Sequence, residues 1–110
     1  MAWTHVVKYV RESTDTKWAW EDGTADLDSS ARTTYATWQK ENYEDNGKYI
    51  SINRSLSGDN LTATVTRVFD SEASKNAFMQ ESNYTTWRDK KTSYNEDNNI
   101  TMIFVSSEET

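Results

Sequence analysis

The chain has 110 residues and a formal net charge of −6, and 13% of its residues are aromatic. The five Trp and six Tyr can build a core even though only 35% of residues are hydrophobic, which excludes a disordered chain. The acidity argues against nucleic-acid and membrane partners, and the absence of Cys argues against disulfides and Cys-type zinc sites. We expect one soluble, cytoplasmic domain over residues 1–110, since no apolar run resembles a signal peptide or a membrane span.

The first predicted element is a strand at residues 3–10, WTHVVKYV, because its β-branched and aromatic residues alternate. It places the chain's single histidine, His5, on the same face as Val7 and Tyr9. Trp18 and Trp20 follow in a polar stretch that predicts either a short strand or an aromatic flap, with a turn at residues 22–23.

A helix is predicted from about residue 28 to residue 44. The residues that recur at helical spacing are Leu27, Ala31, Tyr35, Trp38 and Asn42. Asp28, Ser29 and Ser30 are candidate N-caps, and Asn46-Gly47 is the predicted stop because both residues tolerate a left-handed backbone.

A β-hairpin is predicted from residues 48–56 and 61–69, with a turn at 57–60. Pairing Leu56 with Leu61 gives one apolar face and places Asn53 opposite Thr64 on the other. The second face carries Ser51, Asn53, Ser55, Thr62, Thr64 and Thr66. Such a face is either solvent-exposed, the wall of a polar cavity or a partner surface. The same pairing turns Arg54 and Arg67 towards the helices.

A second helical region follows an N-cap at Asp70-Ser71 and is interrupted near residues 81–83. Its two parts carry Ala73, Ala77 and Phe78, and then Tyr84, Trp87, Lys91 and Tyr94. The last predicted strand, residues 100–107, is apolar on both faces, which is typical of a strand buried on both faces.

The resulting order is strand, helix, strand, strand, helix, strand, which predicts an α+β, ferredoxin-like βαββαβ domain. A four-stranded antiparallel sheet would carry its helices on one face and leave the other open. Because the last strand is apolar on both sides, we expect a second copy of the chain to cover the open face as a homodimer.

The stretch TRVFDSEASKNAF resembles the strand-to-helix junction of the antibiotic-biosynthesis-monooxygenase-like branch of the dimeric α/β barrels. The matching residues are Arg67, Val68, Phe69, Asp70, Ser71, Ala73, Ala77 and Phe78. The resemblance implies a dimeric α/β barrel and includes cofactor-independent oxygenases and haem-degrading enzymes. The chain lacks the second-helix His of the haem-degrading branch, so neither that chemistry nor a cofactor is expected. The composition also resembles that of small phage or marine viral proteins, and a viral source would place the protein in the host cytoplasm.

Candidate site residues are few. His5 is the weak candidate for a general base, although a lone His on a strand is more often a packing residue. Trp18, Trp20, Asn53 and Thr64 are the candidate lining of a ligand pocket. No HxH or HExxH spacing, GxSxG elbow or Gly-rich loop is present, so no metal site is expected.

Two functions remain open after these exclusions. The first is a homodimeric binding or accessory module without catalysis. The second is a cofactor-independent monooxygenase-like enzyme acting on an aromatic small molecule, with His5 and Trp18 or Trp20 orienting the substrate. The enzyme hypothesis requires an enclosed cavity that touches His5 together with Asn53 or Thr64.

Overall fold

A computed structural model describes residues 2–21, Thr24 and 29–110. Its elements are, in chain order, Trp3–Val10 (β1), Ser29–Gln39 (α1), Tyr49–Leu56 (β2), Thr62–Phe69 (β3), Glu72–Gln80 (α2), Ser82–Asp97 (α3) and Thr101–Glu109 (β4). A π-helical turn, Lys40–Glu44, continues α1. No helix in the described ranges is both long and apolar enough to cross a membrane.

The four strands form one antiparallel sheet in the order β2-β3-β1-β4. This order, with the helices packed on one face, is the ferredoxin-like architecture, so the predicted fold class is confirmed. Every second residue of β3 is buried, from Ala63 to Phe69, because that face packs against the helices. Arg67 is one of these inward residues, as the sequence predicted.

The register of the hairpin differs from the prediction by two residues. Leu56 pairs with Ala63 rather than Leu61, and Asn53 lies opposite Thr66 rather than Thr64. The turn is longer than predicted because the loop spans 57–61, where Asn60 adopts a φ of 61°. A shift of two residues keeps each side chain on its predicted face. Ile50 is the exception, since the irregularity between Tyr49 and Ser51 leaves it 57% exposed.

The helix boundaries follow local chain chemistry. The first helical segment ends before Gly47, whose φ of 78° favours glycine. Helix α2 begins after Ser71, whose hydroxyl accepts a hydrogen bond from the Ser74 backbone N–H at 3.1 Å. The predicted interruption is confirmed, because Glu81 has an extended backbone between α2 and α3. The predicted turn at residues 22–23 and the predicted cap residue 28 lie outside the described residues, and the side chain of residue 29 is also not described.

An aromatic cluster forms the core between the helices and the β2-β3 half of the sheet. Phe78, which is fully buried, lies at its centre, and five ring centroids lie 4.8–5.5 Å from its own. These rings belong to Trp38, Tyr43, Tyr49, Phe69 and Tyr84. The core therefore depends on ring packing, which explains how a chain of mean hydropathy −0.95 folds.

Strand β4 is an edge strand whose apolar residues are exposed in the protomer. Met102, Ile103, Phe104 and Val105 have 45–59% of their surface exposed. The isolated chain therefore leaves both faces of β4 largely exposed, and the expectation that a second copy of the chain covers the open face stays a prediction. Ile100, predicted as the first strand residue, precedes β4 and is buried in a second cluster with Trp18 and Ala63.

Candidate functional site

A cavity of about 400 Å³ lies between the sheet and α2-α3. Strands β1, β3 and β4 form one wall, and the inward face of α3 forms much of the other. Its polar lining residues include His5, Tyr9, Arg67, Tyr84, Lys91 and Asn95. Its apolar wall includes Val7, Met79, Ile100, Met102 and Phe104. This is a mostly apolar space with a few polar groups directed into it, as in small-molecule sites.

Two basic residues, Arg67 and Lys91, line this cavity and are buried within the protein. Arg67 is only 5% exposed because its position on β3 points towards the helices, and Lys91 is 8% exposed. Lys91 lies on α3 seven residues after Tyr84, so both side chains project from one helix face towards the sheet. Opposing β3 and α3 thus bring a guanidinium and an amine to one cavity.

Neither of these basic residues has an acidic partner in the part of the chain that the structure describes. The ion pairs found there join Lys40 to Asp45 and Arg88 to Asp89 on the surface. Arg67 Nε also lacks a hydrogen-bond partner among the described residues. A buried charge without a counter-charge is costly, and this cost applies in particular to Arg67.

Arg67 keeps its positive charge at all ordinary pH values. Burial acts to lower its pKa, but the net direction is upward, because the surrounding tyrosines become negatively charged in the high pH range where an arginine would lose its proton. Burial raises the pKa of Tyr35 and Tyr49 above the ordinary tyrosine value, so both remain neutral phenols at neutral pH. These phenols can solvate the guanidinium, but they do not neutralise it.

Lys91 is in the opposite electrostatic situation. Burial lowers its pKa well below the ordinary lysine value, and the positive charges of Arg67, Arg54 and Arg32 lower it further. Lys91 therefore releases its proton more readily than an ordinary lysine, and it does so beside a permanently charged guanidinium at Arg67. An anion in contact with both groups would raise the pKa of Lys91 again, whereas an anion held by Arg67 alone, farther from the amine, would raise it much less.

His5 lies across the β1-β3 pair from Arg67 and also lines the cavity. Burial, followed by the positive charges of Arg67 and Lys75, lowers the pKa of His5 to about 4. Its ring lies 5.8 Å from that of Phe104, and Nδ1 has no hydrogen-bond partner among the described residues. At neutral pH His5 is a neutral imidazole with an available nitrogen, and it is a weaker base than an ordinary histidine.

Asn53 and Thr64 lie on the other face of the sheet. Thr64 pairs with Lys8 on the face opposite His5, and Asn53 is exposed. The cavity at His5 therefore does not include them, and the combined site that the enzyme hypothesis required is not formed within the described protomer. Whether the polar face they share lines another cavity or a partner surface stays a prediction.

Trp18 and Trp20 form an aromatic stack beside the cavity rather than part of its lining. Their ring centroids are 5.2 Å apart with an interplanar angle of 6°, and Trp20 contacts Tyr9 edge to face. The Arg11 guanidinium lies over the Trp18 ring, 4.3 Å from the ring centroid. The segment contains turns rather than a strand, so the predicted short strand is wrong. The stack supports Tyr9 and Ile100, which do line the cavity.

Arg67, Lys91 and Asn95 are not among the site residues predicted from the sequence. A signal was nevertheless present, because the predicted register turned Arg67 inward and the predicted helical stripe included Lys91 with Tyr84. Charged residues at core-facing positions are rare unless they are paired or functional. In the described part of the chain, no three His, Asp or Glu side chains are grouped closely enough to hold a metal ion.

Several solved structures have the same fold as this chain. A candidate antibiotic biosynthesis monooxygenase from Deinococcus radiodurans superposes with a TM-score of 0.54 at 12% identity, covering 100% of this chain and 95% of that one. A second, from Caulobacter crescentus, gives 0.53 at 10% identity, with 98% and 92% covered. The protein Rv0793 from Mycobacterium tuberculosis gives 0.50 at 10% identity, with 98% and 97% covered.

The fold of the antibiotic-biosynthesis-monooxygenase-like proteins is therefore confirmed for this chain. At such low identity the likeness extends to the fold and not to the activity. No family model and no curated protein matches the sequence.

Proposed function

We propose that the protein binds a small aromatic or apolar anion in the cavity between the sheet and α3. The observation that carries this proposal is the pair of buried basic residues, Arg67 and Lys91, without an acidic partner in the described ranges. A carboxylate, phenolate or enolate would supply the counter-charge. The apolar wall, including Val7 and Ile100, would cover the remainder of the molecule.

The volume and charge of the cavity both support such a ligand. About 400 Å³ lies within the range of small-molecule sites, which is about 300–1,000 Å³. The chain as a whole carries a net charge of −6, so the positive groups at the cavity contrast with an acidic exterior. A buried charge-assisted hydrogen bond from Arg67 would select an anion over a neutral molecule of the same shape.

Binding of naphthoate and naphthamide would test this proposal, because the two molecules differ mainly in charge. We expect wild type to bind naphthoate at least about tenfold more tightly, since a hydrogen bond to a charged group contributes about 1.5–3 kcal/mol. The preference should disappear in Arg67→Met, which removes the guanidinium and leaves an unbranched side chain that can fill an irregular core space. Lys90→Met, on the exposed side of α3, is the matched control. Equal affinities in wild type, or no binding by calorimetry, would refute the proposal.

We propose further that the protein is a homodimer joined through the open sheet face. Ile103, opposite Lys8 on that face, is 46% exposed, and Val105 at the neighbouring register shift is 45% exposed. A second copy would bury both residues. We expect sedimentation to give a dimer for wild type and for Ser93→Asp on α3, and a monomer for Ile103→Asp. A monomeric wild type at high micromolar concentration would contradict this arrangement.

Cofactor-independent oxygenation is the second candidate function. Supporting observations are the shared fold with candidate antibiotic biosynthesis monooxygenases and the position of neutral His5 beside Arg67. Arg67 would stabilise the carbanion or enolate of a substrate with an activated CH₂ group. Reaction with dioxygen would convert that group to a carbonyl and release water. Oxygen uptake with anthrone, absent in Arg67→Met, would support this function, and uptake no faster than without protein would exclude it for this substrate class.

A further inference from the structure

Lys91 is buried and lines a cavity of about 400 Å³, which is large enough for a small molecule beside its amine. Its side chain forms no hydrogen bond or ion pair with the residues that the structure describes. It projects from α3 together with Tyr84 and Asn95, and all three line the same space. Exposed Lys90, its neighbour along the helix, points away from this face.

The groups around Lys91 favour the unprotonated amine. Positive charge reaches it from three elements, with Arg67 on β3, Arg54 on β2 and Arg32 on α1. The other titratable groups lining the cavity are His5, Tyr9, Tyr84, Arg88 and Glu96. Of these, Glu96 is the single acid, and it is exposed. Desolvation and adjacent cations are the two means by which proteins convert a lysine into a nucleophile.

We propose that Lys91 forms a Schiff base with aldehydes that carry an anionic group, in the anion-binding cavity described above. Lys91 Nζ attacks the carbonyl carbon, and proton transfer from nitrogen to oxygen gives a carbinolamine. Loss of water from the carbinolamine leaves the C=N bond, so one amine and one aldehyde give one imine and one water. No oxidant or reductant is required.

Arg67 gives this reaction its selectivity. Its guanidinium would hold the anionic group of the aldehyde, while Val7, Ile100 and Met102 would contact the ring. The carbonyl would then face the amine of Lys91 from the opposite side of the cavity. The expected substrate class is therefore an aromatic aldehyde bearing a carboxylate, with neutral and cationic analogues reacting more slowly.

Reductive trapping tests the proposal on the intact protein. Wild type would be incubated at neutral pH with para-carboxybenzaldehyde and cyanoborohydride, and the labelled lysine would be identified by peptide mass mapping. We expect one carboxybenzyl group per chain, on Lys91, at a rate at least about tenfold above that of Lys90. Benzaldehyde and a para-trimethylammonium benzaldehyde should label Lys91 several-fold more slowly.

The controls separate this proposal from the proposed function. Lys90→Met should retain the fast label, and Lys91→Met should lose it. Naphthoate should suppress labelling of wild type by occupying the cavity. Labelling spread evenly over exposed lysines would overturn the Schiff-base proposal even if naphthoate binds. Fast labelling of Lys91 by all three aldehydes, without naphthoate binding, would confirm the nucleophile and overturn the anion site.

Discussion

Replacing Phe78 with alanine should strongly destabilise the protein. Phe78 is fully buried, and its ring contacts five others at centroid distances of 4.8–5.5 Å. Truncation of a buried Phe costs about 3–5 kcal/mol, a range that already includes the lost ring contacts. A loss of about 4 kcal/mol is therefore expected for Phe78→Ala.

This loss can be converted into observable shifts. An unfolding entropy of about 2.1 cal/mol/K per residue gives about 0.23 kcal/mol/K for 110 residues, so Tm should fall by about 17 °C. With a urea m-value of about 2 kcal/mol/M, the midpoint should fall by about 2 M. Far-UV circular dichroism at fixed protein concentration would follow both transitions.

Leu56→Ala is the matched truncation for this experiment. Leu56 is 50% exposed at the end of β2, so about half of a full leucine burial, or about 1 kcal/mol, is at stake. If Phe78→Ala cost no more than Leu56→Ala, Phe78 would not be the centre of the core, and the packing described here would be refuted.

Three further predictions concern the cavity. The single histidine, His5, should titrate at about pH 4 in NMR. Because an unfolded histidine has a pKa of about 6.5, the stability of the protein should decline as pH falls from about 6.5 towards 4. A His5 pKa near 6.5 in the folded protein would contradict its burial beside Arg67. The unfolded chain binds a proton at Lys91 more readily than the native protein does, because burial lowers the pKa of Lys91 in the native state. The free energy of unfolding of wild type should therefore rise towards that of Lys91→Met as pH increases towards the ordinary lysine pKa. A difference between the two proteins that does not change with pH in urea unfolding would refute this. Naphthoate binding should take up protons in calorimetry across buffers of different ionisation enthalpy, and Lys91→Met should reduce that uptake.

The order of the helices and strands, and the face of each strand on which a side chain lies, could be predicted from the sequence because both depend on local periodicity. The alternation in β1 and β3 determined which side chains share a face, and the Asp70-Ser71 cap and the interruption at Glu81 are local signals. The hairpin register was wrong by two residues because Leu56 can pair with either Leu61 or Ala63 without changing faces. The loop of residues 57–61 is one residue longer than the predicted turn, and it selects the pairing of Leu56 with Ala63.

The cavity could not be predicted from the sequence, because its lining comes from elements that are far apart in the chain and are brought together only by tertiary packing. Asn53 and Thr64 were selected for their polarity, but they lie on the face away from the helices. Arg67 and Lys91 are separated by 24 positions in the chain, and only the packing of α3 on β3 brings both to one cavity. The sequence did place charged residues at inward-facing positions. Such a residue can be part of a buried ion pair or of a ligand site, and the sequence does not show which groups surround it.

A crystal structure of the complex with bromonaphthoate would test the central claim most directly. Anomalous scattering locates the bromine independently of the protein's own features. We predict the bromine against the apolar wall between β1 and α3, with the carboxylate within hydrogen-bonding distance of the Arg67 guanidinium. A bromine bound on the outer surface of β4, or a carboxylate directed away from Arg67, would contradict the account.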